Sequence, residues 1–304
     1  LFTSGSTGDP KGVVIKNNGF MNLVEWYKTT LNLSTKDTVF LSASVSFDLA
    51  QKNIFAPLLS GSKLFISEKQ SLDYIEMVDL IERFNITVLN WTPTALAPLF
   101  LYEENFIKLS SIKYIVAGGE PLNLNHFKTW LKSEYSNSVL INTYGPTECT
   151  DVSNYYLVTN ENLDSINNVP IGKAIPNVEL FINDNLDDGS GELLIGGIGV
   201  SEGYLNNEPL TKEKFIYNLE LGTRLYKTGD FVKYDELGNY YFVGRSDDQV
   251  KINGYRIELE DIENNMMRVD GVSKVAVLPK YEEGKVKYLT AYCIYTKEIS
   301  SKLK

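Results

Sequence analysis

Residues 74–91 read YIEMVDLIERFNITVLNW, and this stretch indicates the fold class. Apolar side chains recur at helical spacing in residues 74–83, at Ile75, Val78, Leu80 and Ile81. The following run, residues 86–91, is rich in branched and aromatic side chains and is typical of a buried strand. A helix followed directly by a strand is one half of a βαβ unit, which builds parallel sheets.

The same alternation continues, since residues 126–131 predict a helix and residues 139–142 the next strand. Beyond residue 169 the runs are short, β-rich and interrupted by Gly, Asn and Asp, which favours an antiparallel, barrel-like portion. Residues 258–268 then predict a helix, and residues 275–278 and 288–295 predict strands. We therefore expect an α/β protein: a large subdomain over residues 1–246, with mostly parallel sheets flanked by helices plus the β-rich portion, and a small, partial α+β subdomain over residues 247–304.

Composition excludes several classes of function. The 304 residues are 43% hydrophobic and 22% charged, which is typical of a soluble globular protein. A formal net charge of −10 argues against binding to nucleic acid or to anionic lipid. Two distant cysteines form neither a disulfide framework nor a zinc motif, which favours the reducing cytoplasm. Because the chain starts at Leu1 rather than Met, we expect it to be a fragment.

Residues 3–12 read TSGSTGDPKG, a combination suited to a polyphosphate. Glycines allow backbone N–H groups to turn towards an anion, while the hydroxyl groups and Lys11 add donors and positive charge. The loop is not a Walker A motif, because Gly12 follows the lysine where Ser or Thr is required. A Gly/Ser-rich surface turn remains the alternative for this loop alone.

The loop resembles the phosphate loop of the adenylate-forming superfamily, and further motifs of that superfamily follow in order. Residues 142–150 read NTYGPTECT directly after a predicted strand, where open α/β sheets bind ligands. Residues 118–120, 191–206, 226–230 and 244–263 resemble four more of its motifs. Each motif alone could be a surface loop, but six in the family's order make coincidence a poor explanation.

The resemblance implies a nucleotide site. It places Tyr144 on the adenine, Thr147 on the α-phosphate, Mg²⁺ on Glu148 and the ribose on Asp230. Thr147, Glu148 and Lys11 would be catalytic. The implied ATP contacts are Thr3, Ser4, Gly5, Ser6, Thr7, Gly8, Lys11, Gly119, Glu120, Asn142, Tyr144, Gly145, Thr147, Asp230, Phe242 and Arg245. Asp247 and Lys251 would form the hinge. The sequence departs from the family at Lys227 and Asn253, where Arg is usual, and at Glu260, where Gly is usual.

Residues 44–55 favour one branch of the superfamily. Phe47 and Asp48 match a pair that, in the amino-acid-activating domains of nonribosomal peptide synthetases, places an Asp on the substrate's ammonium group. A buried carboxylate needs a cation, so Asp48 does not suit a fatty acyl chain. The implied substrate contacts are Phe47, Asp48, Leu49, Lys52, Thr94 or Ala95, Val116, Gly118, Thr143, Asp151 and Val152. Lys52 and Asp151 are unusual there. Either they pair with each other, or one of them meets a charged or amide side chain on the substrate, and we hypothesise a polar substrate side chain.

The resemblance implies ATP- and Mg²⁺-dependent activation of an amino acid as aminoacyl-AMP. Transfer to the phosphopantetheine thiol of a peptidyl carrier protein domain would follow, with a condensation domain as a further neighbour. An acyl- or aryl-CoA synthetase and a catalytically silent nucleotide-binding module are the alternatives. The family's late Asn-Gly-Lys motif is absent from the 304 residues, so we expect this piece alone to adenylate poorly.

Overall fold

The computed structural model describes residues 1–3, 10–69, 73–183, 189–245, 249–252, 255–282 and 285–295. A two-stranded ribbon pairs β1 (Phe2–Thr3) with β2 (Lys11–Gly12), one on each side of the predicted phosphate loop. Within the described residues, none of the helices is both long enough and apolar enough to cross a bilayer.

A seven-stranded sheet forms the centre of the fold. Its strands are β3 (Thr38–Phe40), β4 (Lys63–Phe65), β5 (Val88–Trp91), β6 (Tyr114–Gly118), β7 (Val139–Tyr144), β8 (Asn154–Val158) and β9 (Lys173–Ala174), in the order β4-β3-β5-β6-β7-β8-β9. The first five strands in this order are parallel, and β8 and β9 continue the sheet antiparallel. The mostly parallel sheet predicted from the sequence is confirmed.

Helices cover both faces of this sheet. They are α1 (Asn17–Thr30), α2 (Leu49–Ser60), α3 (Tyr74–Phe84), α4 (Pro93–Leu96) and α5 (Asn125–Lys132). Two further helices, α6 (Glu208–Lys214) and α7 (Leu259–Met267), follow later in the chain. The helix predicted at residues 74–83 is α3, which Asp73 caps by accepting a hydrogen bond from the backbone N–H of Glu76 at 2.8 Å.

In four of the parallel strands, β3, β5, β6 and β7, adjacent residues pack into different hydrophobic clusters. The cluster containing α1 includes the strand residues Val39, Val88, Val116 and Ile141. The cluster containing α3 and α5 includes Phe40, Leu89, Ile115 and Leu140. Because side chains alternate across a strand, each strand buries apolar residues on both faces. Because both faces are covered, the ends of these strands are the part of the sheet that stays open to a ligand.

A second, antiparallel sheet packs against the α1 face. It contains β10 (Val178–Asn183), β11 (Gly191–Gly197), β12 (Phe215–Asn218), β13 (Thr223–Tyr234) and β14 (Tyr240–Arg245). Leu193 and Ile195 of β11 belong to the same hydrophobic cluster as α1. The predicted change to an antiparallel, β-rich portion is therefore confirmed.

The remaining elements form a small α+β unit. β15 (Gln249–Ile252) pairs with β16 (Tyr255–Glu258), and β17 (Val272–Glu282) pairs with β18 (Lys285–Tyr295). Helix α7 packs with them around Val250, Leu259 and Val277, which form a hydrophobic cluster of their own. The predicted subdomain division after residue 246 agrees with this separate cluster but stays a prediction.

Gly172 connects the two large sheets. Its backbone N–H donates to the carbonyl oxygen of Tyr240 at 3.2 Å, and the N–H of Tyr240 donates back at 2.9 Å. The φ of Gly172 is +82°, and a Cβ there would clash with the carbonyl oxygen of Tyr155. Only glycine therefore fits where β14 meets the edge of the seven-stranded sheet.

We expect Gly172→Ala to lower the free energy of unfolding by about 3 kcal/mol or more, since backbone strain and overpacking add. Gly238→Ala is the matched control: its φ is +76°, but no atom lies within 4 Å of the added Cβ. The control should lose only about 1–2 kcal/mol. Urea denaturation of both variants measures the difference, and equal losses would contradict the close contact.

Candidate functional site

A cavity of about 1180 Å³ lies at the carboxyl ends of the parallel strands. Its wall includes Ser42 after β3, Thr92 after β5, Gly119 after β6 and Gly145 after β7. Ligands of open α/β sheets bind at this edge, because the loops that follow successive strands converge there. Residues from the second sheet close the cavity on its other side, among them Asp230 and Arg245.

Asp230 is the centre of a polar cluster on this wall. It lies on β13 directly opposite Arg245 of β14. Its Oδ1 accepts a hydrogen bond from Nη1 of Arg245, and its Oδ2 accepts one from the hydroxyl of Tyr144. Burial, and then the Asp230 charge, raise the pKa of Tyr144 well above its usual range, so the phenol stays protonated and donates. The cluster brings an aromatic ring, a carboxylate and a guanidinium together, and a guanidinium is a frequent partner of phosphate groups.

Asp48 stands at the start of α2 and lines the same cavity. Its Oδ1 accepts a hydrogen bond from the backbone N–H of Leu49 at 2.8 Å, and its Oδ2 accepts one from the hydroxyl of Thr147. Thr147 begins a short 3₁₀ turn that follows β7. The two residues predicted to bind the ammonium and the α-phosphate are thus in direct contact.

Glu148 occupies a different environment from the one that the sequence predicts. Its side chain is fully buried, and Oε1 accepts a hydrogen bond from the hydroxyl of Tyr204 at 2.8 Å. Lys11 lies nearby, with Nζ 5.9 Å from the centroid of the Tyr204 ring. No group of three or more metal-binding side chains occurs among the described residues. Mg²⁺ is usually held by one or two carboxylates together with substrate phosphates and waters, so a single carboxylate could hold it. Glu148 is fully buried beneath Tyr204 in this conformation, and its assignment to Mg²⁺ stays a prediction.

Lys52 and Asp151 form a buried ion pair beside the cavity. Nζ of Lys52 contacts Oδ2 of Asp151, with side-chain exposures of 0% and 8%. Nζ also lies 3.4 Å from the carbonyl oxygen of Leu49 and 5.9 Å from the centre of the Tyr27 ring. Of the two alternatives left open by the sequence, the structure shows pairing between Lys52 and Asp151.

The backbone around Asp151 explains how its carboxylate reaches the wall. Thr150 and Asp151 both have left-handed conformations, with φ of +63° and +68°. The carbonyl oxygen of Asp151 packs so closely on Gly145 that a Cβ at Gly145 would clash with it. The glycine of the predicted motif at residues 142–150 therefore provides the room for this turn.

Most of the predicted residues that the structure describes line this cavity. The predicted residues that line it are Thr3, Phe47, Asp48, Leu49, Thr94, Ala95, Gly119, Thr143, Tyr144, Gly145, Thr147, Asp151, Asp230, Arg245 and Lys251. Ser4, Gly5, Ser6, Thr7, Gly8 and Asp247 fall outside the described residues. The roles assigned to all of these side chains stay predictions.

Other predicted contacts lie behind the wall or away from it. They are Lys11, Lys52, Val116, Gly118, Glu120, Asn142, Glu148, Val152 and Phe242. Val116 is buried in the core, and the amide of Asn142 donates to the carbonyl oxygen of Pro170 at 2.8 Å. Glu120 accepts from the hydroxyl of Thr94 at 2.6 Å, so it supports a wall residue. Their predicted roles in ligand binding stay predictions.

Several wall residues were missed by sequence reasoning, among them Thr228, Gln249 and Trp91. Thr228 lies between two residues of the predicted motif at 226–230, and its hydroxyl accepts from the backbone N–H of Asp230 at 3.0 Å. Gln249 lies in the sequence between Asp247 and Lys251, the two predicted hinge residues. Trp91 ends a predicted strand, so its position at the carboxyl end of β5 was the available signal.

We expect Lys52→Met to lower the free energy of unfolding by about 3–5 kcal/mol, because it leaves the Asp151 carboxylate buried without its partner. The double variant Lys52→Met/Asp151→Leu should recover most of this loss, since no buried charge remains. Urea denaturation measures both. A double variant that is less stable than the single variant would contradict this account of the pair.

Comparisons with known proteins identify the family of this chain. A family model described as "AMP-binding enzyme" matches residues 1–205. Tyrocidine synthase 3 of Brevibacillus parabrevis is 38% identical over 97% of this chain, which corresponds to 5% of that protein. The chain thus spans only a small part of the curated relatives that it matches first.

Two solved structures share the fold at 29% sequence identity. PA1221, described as a nonribosomal peptide synthetase protein with adenylation and peptidyl carrier domains, has a TM-score of 0.85 and covers 99% of this chain and 52% of its own. The adenylation domain AlmE of Vibrio cholerae, solved with glycyl-adenosine-5'-phosphate, has a TM-score of 0.82 and covers 96% and 56%. The chain belongs to the AMP-binding enzyme family, and its relatives there are adenylation domains of nonribosomal peptide synthetases.

Proposed function

We propose that the protein containing this chain activates an α-amino acid with ATP, forming aminoacyl-AMP and pyrophosphate. In this reaction an oxygen of the amino acid carboxylate attacks the α-phosphorus of ATP, and the bond to the β-phosphate oxygen breaks. Such transfers depend on positioning and on charge neutralisation rather than on a protein nucleophile. Family membership supports the adenylate chemistry.

The main observation in favour of an amino acid as the substrate is the contact between Asp48 and Thr147. In an α-amino acid, one carbon separates the ammonium from the carboxylate. The Asp48 carboxylate, which would bind the ammonium, contacts the Thr147 hydroxyl, which would contact the reacting phosphate. The closeness of these two groups matches the short separation in the substrate. An acyl chain would leave the Asp48 carboxylate facing apolar atoms, at a cost of unpaired charge.

The nucleoside would bind at the Asp230 cluster. Asp230 would accept hydrogen bonds from ribose hydroxyls, the Tyr144 ring would contact the adenine, and Arg245 would face the phosphates. A bound nucleotide would replace some of the contacts that these three side chains now make with one another. Mg²⁺ would neutralise more of the phosphate charge. The family resemblance proposes Glu148 as its ligand, and the side chain of Glu148 is fully buried in this conformation.

A carrier protein is the proposed acceptor of the activated amino acid. PA1221, which shares the fold over 99% of this chain, contains both adenylation and peptidyl carrier domains. Transfer would join the aminoacyl carbonyl carbon to the thiol sulfur of phosphopantetheine, releasing AMP. A condensation domain is proposed as a further neighbour. The reason is that this chain matches only 5% of tyrocidine synthase 3, so such synthetases are long enough to contain many other domains.

We expect amino-acid-dependent exchange of pyrophosphate into ATP by the full-length protein, and we expect Asp48→Asn to lower its kcat/KM by about 10- to 100-fold. The lost interaction is a charge-assisted hydrogen bond, and each 1.4 kcal/mol corresponds to a factor of ten. Asn can still cap α2 and accept from Thr147, so this variant separates charge from folding. Unchanged ATP binding by calorimetry serves as the control.

Other results would favour the alternatives. Exchange driven by a fatty or aryl acid, with no loss in Asp48→Asn, would favour an acyl- or aryl-CoA synthetase. ATP binding without exchange for any carboxylic acid would favour a catalytically silent nucleotide-binding module.

A further inference from the structure

The two residues of the Lys52–Asp151 ion pair differ in their access to the cavity. Asp151 lines the cavity, whereas Lys52 is fully buried outside it and contacts only Oδ2 of the Asp151 carboxylate. The other oxygen, Oδ1, accepts no hydrogen bond among the described residues. Lys52 therefore holds the carboxylate from behind, and the cavity receives a hydrogen-bond acceptor.

Charge balance restricts what can bind there. Among the described residues, the charged and titratable groups that act on Asp151 are Lys52 and Asp48 at the start of α2, Lys251 on β15 and the phenol of Tyr27 on α1. An acidic substrate side chain would bring a like charge against Asp151. A cationic side chain would add positive charge where Lys52 and Lys251 already neutralise Asp151.

An apolar side chain fits the wall no better. It would cover Oδ1 of Asp151 and exclude water without supplying a donor, which is the costly case for a buried polar atom. The hydroxyl of Thr143, which donates to the carbonyl oxygen of Ala117 at 3.2 Å, adds a polar oxygen on the same wall. A neutral side chain with an O–H or N–H donor satisfies these constraints together.

This inference rests on the proposed function. We infer that the activated amino acid carries a neutral, hydrogen-bond-donating side chain, a hydroxyl or a carboxamide, which donates to Asp151 while Lys52 acts as the positioning residue. Both groups share the hydrogen-bond donor, and the exchange experiment below distinguishes them.

The titration of Asp151 gives this inference a pH signature. Burial raises the pKa of Asp151 to about 6, with Lys52 lowering it and Asp48 raising it. Above that pH the carboxylate accepts from the substrate. As the pH falls through about 6, Asp151 takes up a proton, and the preference for a donor side chain should decline. Removing Lys52 removes a lowering influence, so the decline should move to higher pH.

The experiment is pyrophosphate exchange by the full-length protein with matched pairs of similar shape: threonine against valine, and asparagine against leucine. Aspartate and lysine represent the charged classes. We expect one donor to exceed its apolar partner in kcat/KM by about 100-fold or more at pH 8, as in sites built around a hydrogen bond. Which pair shows the larger ratio distinguishes hydroxyl from carboxamide.

Two variants test the separate roles. The double variant Lys52→Met/Asp151→Leu removes both charges, and its donor preference should fall to about 10-fold or less while ATP binding is retained. In Lys52→Met the pH midpoint of the preference should rise by about one unit. A merely structural role for Lys52 would lower activity without moving that midpoint.

The outcomes separate this inference from the proposed function. A preference for an apolar, acidic or cationic amino acid overturns the inference and leaves amino acid activation intact. A donor preference that persists in the double variant also overturns it. Exchange with no amino acid overturns the proposed function and the inference together.

Discussion

Burial of the parallel strands on both faces is the constraint on which the rest of the structure depends. Adjacent residues such as Val88 and Leu89 belong to different hydrophobic clusters, so a one-residue slip of a strand would exchange two packed faces. The register is thereby fixed, and with it the height at which each strand ends. The loops that carry Asp48, Tyr144 and Asp151 converge because they leave this fixed edge or pack directly on it.

Much of this architecture could be predicted from the sequence. Helix α3 and strand β5 follow from the period of their apolar residues, and the second sheet follows from short runs broken by turn residues. The antiparallel pairing of β8 and β9 could not be predicted, because buried strands of either direction carry similar side chains. Motif matching placed residues in one site, but it could not assign their partners.

Glu148 and Lys52 show why partners escaped prediction. A motif match indicates an acidic residue after β7, yet burial beneath Tyr204 depends on a segment 56 residues later. Likewise, Lys52 and Asp151 are separated by 99 residues, and their pairing requires the left-handed turn at residues 150–151. Such contacts arise from tertiary packing, and a linear pattern of residue types carries no record of them.

Asp48 and Lys52 are four residues apart at the start of helix α2. One turn of helix advances the chain by about 6 Å over four residues and returns to the same side. The distance along the helix between Asp48, the proposed partner of the ammonium, and Lys52, which holds Asp151, is therefore set by the helical rise. Movement of the loops does not alter it. A change of preferred amino acid in this protein would have to come from replacing side chains, because the interval between those two points is rigid.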